Sequence, residues 1–392
     1  MVNGMNENIG SFSLMKRMNT ALILKTIRDA GEISRAQVAK ETGLTPATVT
    51  NLTAELMKSK LITESKRGSS TGGRKPVLLT INNTHHYLAS VYIGSKTVEV
   101  MISNFNADVL HCAASPITNS FDGAVEFIKK QVESFPGHEK IMGVGVGLHG
   151  LVDSKTGEWI FAPNLGLEHI DVRERLEEAL GVPVYAENDV RLMTLGEMWF
   201  GTAQNVQDFV MMYVGYGIGA AMVTGGSLYR GVTDGGGEIG HTVIDMDGPE
   251  CSCGNHGCLQ ALAGEQALLE RMKKYLPSEK SVLSGGSSAK DIVNAAIAGD
   301  NLAKKLMAEQ AKYLGCGIAN LTNLFNPKLV VINSNIPQLE KAIFSSLCEE
   351  AKKRTMKYLA APIRFSELGD TAVLKGGIAL VLDHIYDDPL NR

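Results

Sequence analysis

The stretch G235-G-G-E-I-G-H-T-V-I-D-M-D-G-P-E-C-S-C-G-N-H-G-C-L-Q260 decides how this chain is read. It holds three of the six cysteines, Cys251, Cys253 and Cys258, in a C-x-C-x4-C spacing. Gly254 and Gly257 permit the tight knuckle that this spacing needs. One more ligand would complete a tetrahedral set. His241, ten residues upstream, is the expected fourth ligand, and His256 inside the knuckle is its rival. Three thiolates and one imidazole make a closed structural site, so the expected cofactor is zinc. Neither C-x-C nor C-x4-C is the C-x-x-C spacing of redox dithiols. The metal would hold in shape the loop that carries Glu238 and His241.

Around this stretch the chain runs to 392 residues, too long for one core, so two or three domains are expected. Cys112, Cys316 and Cys348 are scattered singly, which points to a reducing cytoplasm rather than a disulfide framework. The first fifteen residues lack the apolar core of a signal peptide. No run of 18 apolar residues exists, so no membrane span is expected. Charge is unevenly spread. Residues 1–82 carry twelve Lys and Arg against six Asp and Glu, a balance of +6 in a chain of net −4, which leaves the remainder at −10. A basic head on an acidic body suggests that the head meets a polyanion.

The head reads as three helices and a wing. Residues 19–31 carry apolar positions at helical spacing and close at Gly31. Ser34 with Gln37 forms a capping box for a second helix that ends at Gly43. Thr45 caps a third helix with Pro46 in its first turn, and Val49, Leu52 and Leu56 form the inward stripe. The outward set is Ala47, Thr48, Thr50 and Asn51, short enough to let the helix enter a major groove. Next, LITESKRGSSTGGRKPVLLTIN reads as two strands around a tip, a wing on which Arg67, Arg74 and Lys75 suit phosphates or a minor groove. Arg35 joins these as a candidate DNA contact. The plainer alternative is a small helical protein-interaction domain; the caps, wing and positive balance favour DNA.

Beyond residue 83 the texture changes. YLASVYIGSKTVEVMIS and DFVMMYVGYGIGAAMVT are both strand–glycine turn–strand patterns about 120 residues apart, as the opening hairpins of two related lobes would be. A helix near 122–135, a buried strand IMGVGVG, a helix near 170–180 and a strand VPVYA lie between them. Long helices and a strand KLVVIN follow. The fold class is therefore α/β, and two lobes imply a cleft. The expected domains are a winged helix-turn-helix over 15–82, a first lobe over 83–190 and a second over 191–370 with a zinc loop at 241–258. The last helix, 371–392, is expected to pack back on the first lobe.

GGGEIGH followed by C-S-C-G-N-H-G-C-L resembles the signature of the ROK family of bacterial sugar kinases and sugar-responsive repressors. APN at 162–164, END at 187–189 and GYGIGA at 215–220 fall in the family's order, and the N-terminal helix-turn-helix resembles its repressor branch, the xylose repressors and the NagC/Mlc group. The resemblance implies an actin-like, ribonuclease-H-related body with sugar in the cleft and zinc beside it. It places Asn164, Asn188, Asp189, Glu238 and His241 against the sugar. Carboxylates and amides there can match a ring of hydroxyls. In the kinases the residue at Asp189 is the general base. The family's Glu after G-C-L is Gln260 here, and His149 stands where kinases often have Pro, so either could change which sugar fits.

The nucleotide side departs from the family pattern. The first phosphate hairpin, D-I-G-G-T-K in the family, reads Y92-I-G-S-K-T, with Ser95 for a glycine. Tyr216 replaces a Thr in the second hairpin, and Asn333-Ser334 replaces the late Gly-Gly. Phosphoryl transfer depends on positioned charge around the phosphates, so no kinase activity is expected. The resulting expectation is a dimeric repressor of sugar-use genes, or a dimer of dimers, that reads a pseudo-palindromic operator in double-stranded DNA and answers to a small sugar or sugar phosphate. An active kinase with a DNA-binding head, and a regulator controlled by a protein partner, are the alternatives.

Overall fold

Ser34 and Thr45 fix where the helices of the head begin. In this computed structural model, which describes residues 12–67, 76–117, 120–162 and 166–390, three helices form the head: α1 (Phe12–Ala30), α2 (Arg35–Thr42) and α3 (Pro46–Lys58). Ser34 and Gln37 make the full capping box, and the Thr45 hydroxyl accepts from the Thr48 N–H with Pro46 in the first turn. Gly43 ends α2 at φ +69°, a conformation that favours glycine. Ile23, Ile27, Val38, Val49, Leu56 and Leu79 close the core beneath them. The wing is a three-stranded sheet in the order β1 (Ile33–Ser34), β3 (Val77–Ile81), β2 (Ile62–Arg67). The wing tip, with Arg74 and Lys75, lies outside the described residues.

The body contains the same sheet twice. The chain first forms β4 (Tyr87–Ile93), β5 (Thr97–Ser103), β6 (Val109–Pro116), α4 (Phe121–Glu133) and β7 (Ile141–Leu148). A small sheet of β8 (Leu151–Asp153), β9 (Glu158–Ala162) and β10 (Leu167–Asp171) follows, then α5 (Val172–Leu180), β11 (Val184–Asn188) and α6 (Asp189–Phe200). The second round is β12 (Phe209–Val214), β13 (Ile218–Thr224) and β14 (Ser227–Tyr229). Four helices come next: α7 (Leu259–Ala263), α8 (Glu265–Tyr275), α9 (Ala289–Ala298) and α10 (Asn301–Phe325). β15 (Leu329–Ser334), α11 (Leu339–Arg354), β16 (Ile363–Phe365) and α12 (Ala372–Asp387) end the chain. One sheet has the order β11-β7-β4-β5-β6 and the other β16-β15-β12-β13-β14. In each, three successive strands run outward from the first and two later strands join its other side. The two glycine-turn hairpins are therefore equivalent parts of two equivalent halves.

Two compact units result: Met1–Val146 with Val172–Tyr185 and Gly377–Arg392, and Gly147–Asp171 with Ala186–Gly376. This division is not the contiguous one expected from sequence. Residues 147–171 join the second unit, where the small sheet is fastened by Ser154, whose N–H and hydroxyl both donate to Asp234 at 3.0 and 2.9 Å. Residues 377–392 join the first unit. There Lys25 of α1 reaches Asp387 at 2.6 Å, Arg17 reaches Asp388 at 3.4 Å, and the Arg28 guanidinium lies 4.8 Å from the centre of the buried Tyr386 ring.

α12 is fitted by the absence of side chains at its second turn. A Cβ on Gly376 would stand 1.8 Å from the Leu192 carbonyl oxygen of α6, and one on Gly377 would stand 2.1 Å from the Ser90 hydroxyl of β4. Alanine is the better helix former by about 1 kcal/mol, so propensity alone predicts a stabilising Gly→Ala change. The backbone clash reverses the sign. Gly376→Ala is expected to destabilise by about 2–3 kcal/mol, read as a lower urea midpoint, whereas Gly285→Ala, which meets nothing, should stay within about 0.5 kcal/mol.

Candidate functional site

The polar site grows from the junction of β11 and α6. Asn188 ends the strand and caps the helix: its side-chain oxygen accepts from the Arg191 N–H at 3.2 Å. Its amide nitrogen donates to the Gly150 carbonyl at 3.0 Å and to Asp189 Oδ1 at 3.1 Å, so the whole amide is used locally. Asp189, the first helical residue, is nearly buried. Its Oδ1 also accepts from the Val190 N–H at 2.9 Å, and its Oδ2 lies 3.2 Å from Nδ1 of His149. His149 is itself set by Trp159, which donates from its indole nitrogen to the His149 carbonyl at 2.9 Å.

Burial disfavours a charged His149, but the hydrogen bond to Asp189 and the charges of Asp189 and Glu238 outweigh it, and its pKa is raised. Glu238 is exposed and lies 4.0 Å from Nε2 of His241. The structure thus brings His149, Asp189, Glu238 and His241 into one polar neighbourhood of carboxylates and imidazoles. Gln260 lies next to Gly240, with its side-chain oxygen accepting from the Ile218 N–H at 3.0 Å. Asn164 lies outside the described residues.

The other nitrogen of His241 faces the cysteines. Nδ1 lies 3.6 Å from Cys251 Sγ, and Cys253 and Cys258 stand 3.8 Å apart. The four donor atoms all lie within 4.8 Å of one another. Donors at zinc-like bond lengths around a tetrahedral centre are about 3.5–3.8 Å apart, so the set fits that metal. The knuckle is made by backbone: Cys251 N–H donates to the Asn255 carbonyl at 2.7 Å and Gly257 N–H to the Pro249 carbonyl at 2.8 Å. Gly257 has φ +66°, and a Cβ there would meet the Asp245 carbonyl at 1.5 Å. Burial, then the two neighbouring sulfurs, push the Cys258 thiol up to about 12, while a backbone hydrogen bond at Asn255 leads the lowering at Cys253. A divalent cation reverses such resistance to ionisation, because it binds thiolates. His256 is exposed and outside the cluster.

On the head, Ala47, Thr50 and Asn51 are exposed on α3 and Thr48 is half-buried. The Thr50 hydroxyl turns back to the Pro46 carbonyl at 2.8 Å, and the Thr48 hydroxyl meets that of Thr45 at 2.9 Å. Arg35 is directed into the head, where it donates to Thr53 at 3.3 Å and pairs with Glu64 at 3.2 Å, bracing α2 against α3 and the wing. β2 includes Arg67 as its last residue.

The model of the ROK family matches residues 88–384, and one described as winged helix-turn-helix DNA-binding matches residues 20–63. The chain belongs to the ROK family. The xylose repressor of Caldicellulosiruptor bescii is 33% identical over 97% of this chain and 99% of its own. A ROK family transcriptional regulator described as a homologue of E. coli Mlc superposes with a TM-score of 0.86 at 28% identity, covering 96% of this chain and 98% of that one. A ROK glucokinase from Streptomyces griseus, solved with glucose and AMPPNP, gives 0.68 at 26% identity over 75% of this chain and 98% of its own.

The residues that sequence reasoning missed in this ROK protein are those behind the site: Glu187, Arg191, Arg230, Asp234 and Ser154. A buried carboxylate beside two arginines leaves no periodic signal, and only the run E187-N-D-V-R191 hinted at it. One prediction follows from the His149–Asp189 pair. A histidine whose pKa is raised by folding contributes fully below its ordinary value of about 6.5, and that contribution is lost as pH rises through the raised value. His149→Gln is expected to lower the melting temperature more at pH 6 than at pH 9; equal losses would disprove the pairing.

Proposed function

We propose that this protein is a DNA-binding transcriptional repressor of sugar-use genes, whose grip on its operator is set by a sugar held by His149, Asp189, Glu238 and His241. The observation that carries this reading is the coexistence in one chain of a capped, winged helix-turn-helix and a hydroxyl-matching site of two carboxylates and two imidazoles. The named function of its relative makes an aldopentose, D-xylose first, the candidate effector. Two copies of the head would read a pseudo-palindromic double-stranded operator. Asn51 would touch base edges, with Ala47, Thr48 and Thr50 beside it, and Arg67, Arg74 and Lys75 on the wing would touch phosphates or the minor groove.

The reading as a sensor rather than a kinase is supported at both glycine hairpins. In the first, the Tyr92 ring lies across the turn: a Cβ on Gly94 would meet it at 2.8 Å. In the second, the space above Gly215 is taken by the Asn335 side-chain oxygen and the Tyr213 hydroxyl, 2.4 and 2.6 Å from where a Cβ would stand. Burial, its first cause, raises the Tyr213 pKa and keeps that hydroxyl neutral. Asn333 is buried and donates to the Gly369 carbonyl at 3.0 Å. Phosphates would need open backbone N–H groups at these turns, and aromatic rings and amides stand there instead.

The cysteine cluster is read as a structural zinc site of His241, Cys251, Cys253 and Cys258. His241 would hold the zinc through Nδ1, the nitrogen beside Cys251, which would leave Nε2 toward Glu238 and the sugar.

To swing operator occupancy from nearly full to nearly empty, a sugar must prefer one state by about 5.5 kcal/mol, a sum that several net hydrogen bonds of about 0.5–1.5 kcal/mol each can reach over two subunits. A gel shift on upstream DNA of sugar-use genes, with and without D-xylose, tests the reading. Binding that xylose alters, with Asn51→Ala changing sequence preference by about 1–3 kcal/mol at one base pair, is the expected result. Binding indifferent to every pentose and hexose, or sugar-dependent ATP turnover at ordinary enzyme rates, would reject it. Cys251→Ser is expected to abolish stoichiometric zinc and weaken sugar binding; full metal content in that variant would remove Cys251 from the ligand set.

A further inference from the structure

The glycine-rich loop that leads to Glu238 has almost nothing apolar to hold it. From Thr224 to Glu238 the one buried side chain is Asp234, and Val232 is 99% exposed. Apolar burial, the usual means of fixing a surface loop, does not operate here. The backbone nevertheless adopts a demanding path. Asp234 sits at φ +54°, uncommon for a residue with a side chain, and Gly237 at φ +108° passes so close to β13 that a Cβ would meet the Ala220 carbonyl at 2.0 Å.

Charge fastens this loop. Glu187, with no exposed side-chain surface, accepts from Arg191 Nε at 2.6 Å and from the Asn188 N–H at 2.8 Å, and its other oxygen takes the guanidinium of Arg230. Arg191, also buried, donates onward to the Asp234 carbonyl. The Asp234 carboxylate is itself held by Ser154. One carboxylate, Glu187, thus meets two guanidinium groups in a region shielded from salt, where a paired charge is strongly favoured over a broken one, and Arg191 carries the link on to the Asp234 backbone.

The two ends of this network are the two walls of the sugar site. Glu187 and Arg191 flank Asp189 at two residues on either side, and Arg230 and Asp234 begin the loop that ends in Glu238 and His241. We propose that Arg191 and Arg230 are positioning residues: they latch the loop 230–238 to the β11–α6 junction through Glu187 and so fix the spacing of Glu238 and His241 from Asp189 and His149. The latch rests on the reading of these four residues as the effector site. It also assigns a reason for a buried carboxylate that neither touches the sugar nor binds the metal.

Arg230 is the residue to change, because it is half-exposed and its loss leaves the buried Glu187–Arg191 pair in place. In the intact protein, head and body together, Arg230→Gln is expected to speed hydrogen exchange of the amides at 231–238 and to weaken D-xylose binding at least tenfold by calorimetry. Zinc content and sugar-free operator affinity should be unchanged. Arg230→Lys should restore part of both effects. Unaltered exchange in Arg230→Gln would overturn the latch. Faster exchange with unaltered xylose affinity would overturn its positioning role. A wild-type protein that binds no xylose would count against the effector reading, and the exchange measurement would still decide whether the latch holds the loop.

Discussion

A carboxylate with no access to water needs its partners from the protein, and Glu187 finds them in two guanidinium groups. Its position fixes much else. It lies one residue before the end of β11, so the strand must deliver it to two guanidinium groups. The next residue caps α6, and the one after begins it with a nearly buried acid. Five consecutive residues therefore supply a strand end, a helix cap, a nearly buried acid and an ion pair. Removing one charged partner from such a set costs about 3–5 kcal/mol, as much as truncating a large core side chain to alanine. The site is specified by electrostatics first and by packing second.

The duplicated sheets give the same reasoning a different outcome at each glycine hairpin. A hairpin with a glycine turn can expose N–H groups to an anion or fold its own side chains across them. Tyr92 does the latter in one half, and Tyr213 with Asn335 does so in the other. The fold survives because neither hairpin needs an anion for its own hydrogen bonds: Gly94 N–H donates to the Thr97 carbonyl at 2.9 Å and Gly215 N–H to the Gly217 carbonyl at 3.0 Å. Either use of the turn is compatible with the same architecture for that reason.

Much of this was legible in the sequence. The caps at Ser34 and Thr45, the hairpins, and the strands IMGVGVG and KLVVIN stand where periodicity and turn residues place them, because these are local rules. The cysteine spacing with His241 was legible because ligand geometry restricts which residues can share one ion, and the four donor atoms do converge. Division of the body was less so: the small sheet leaves its neighbours in sequence because Ser154 meets a carboxylate 80 residues away. Arg35, expected as a DNA contact, is half-buried and pairs with Glu64 of the wing, a partner that no local pattern in the sequence marks. Side-chain partners of that kind depend on the finished fold.

The contacts of α1 with Tyr386, Asp387 and Asp388 have a practical bearing. The carboxyl end of the chain touches the same helix that supports the DNA-reading head, with Asp388 four residues before Arg392. An affinity tag or fluorescent reporter fused there would crowd the head and distort any operator assay. The exposed Gly285–Gly286 segment, where added atoms meet nothing, is the better place to insert a label.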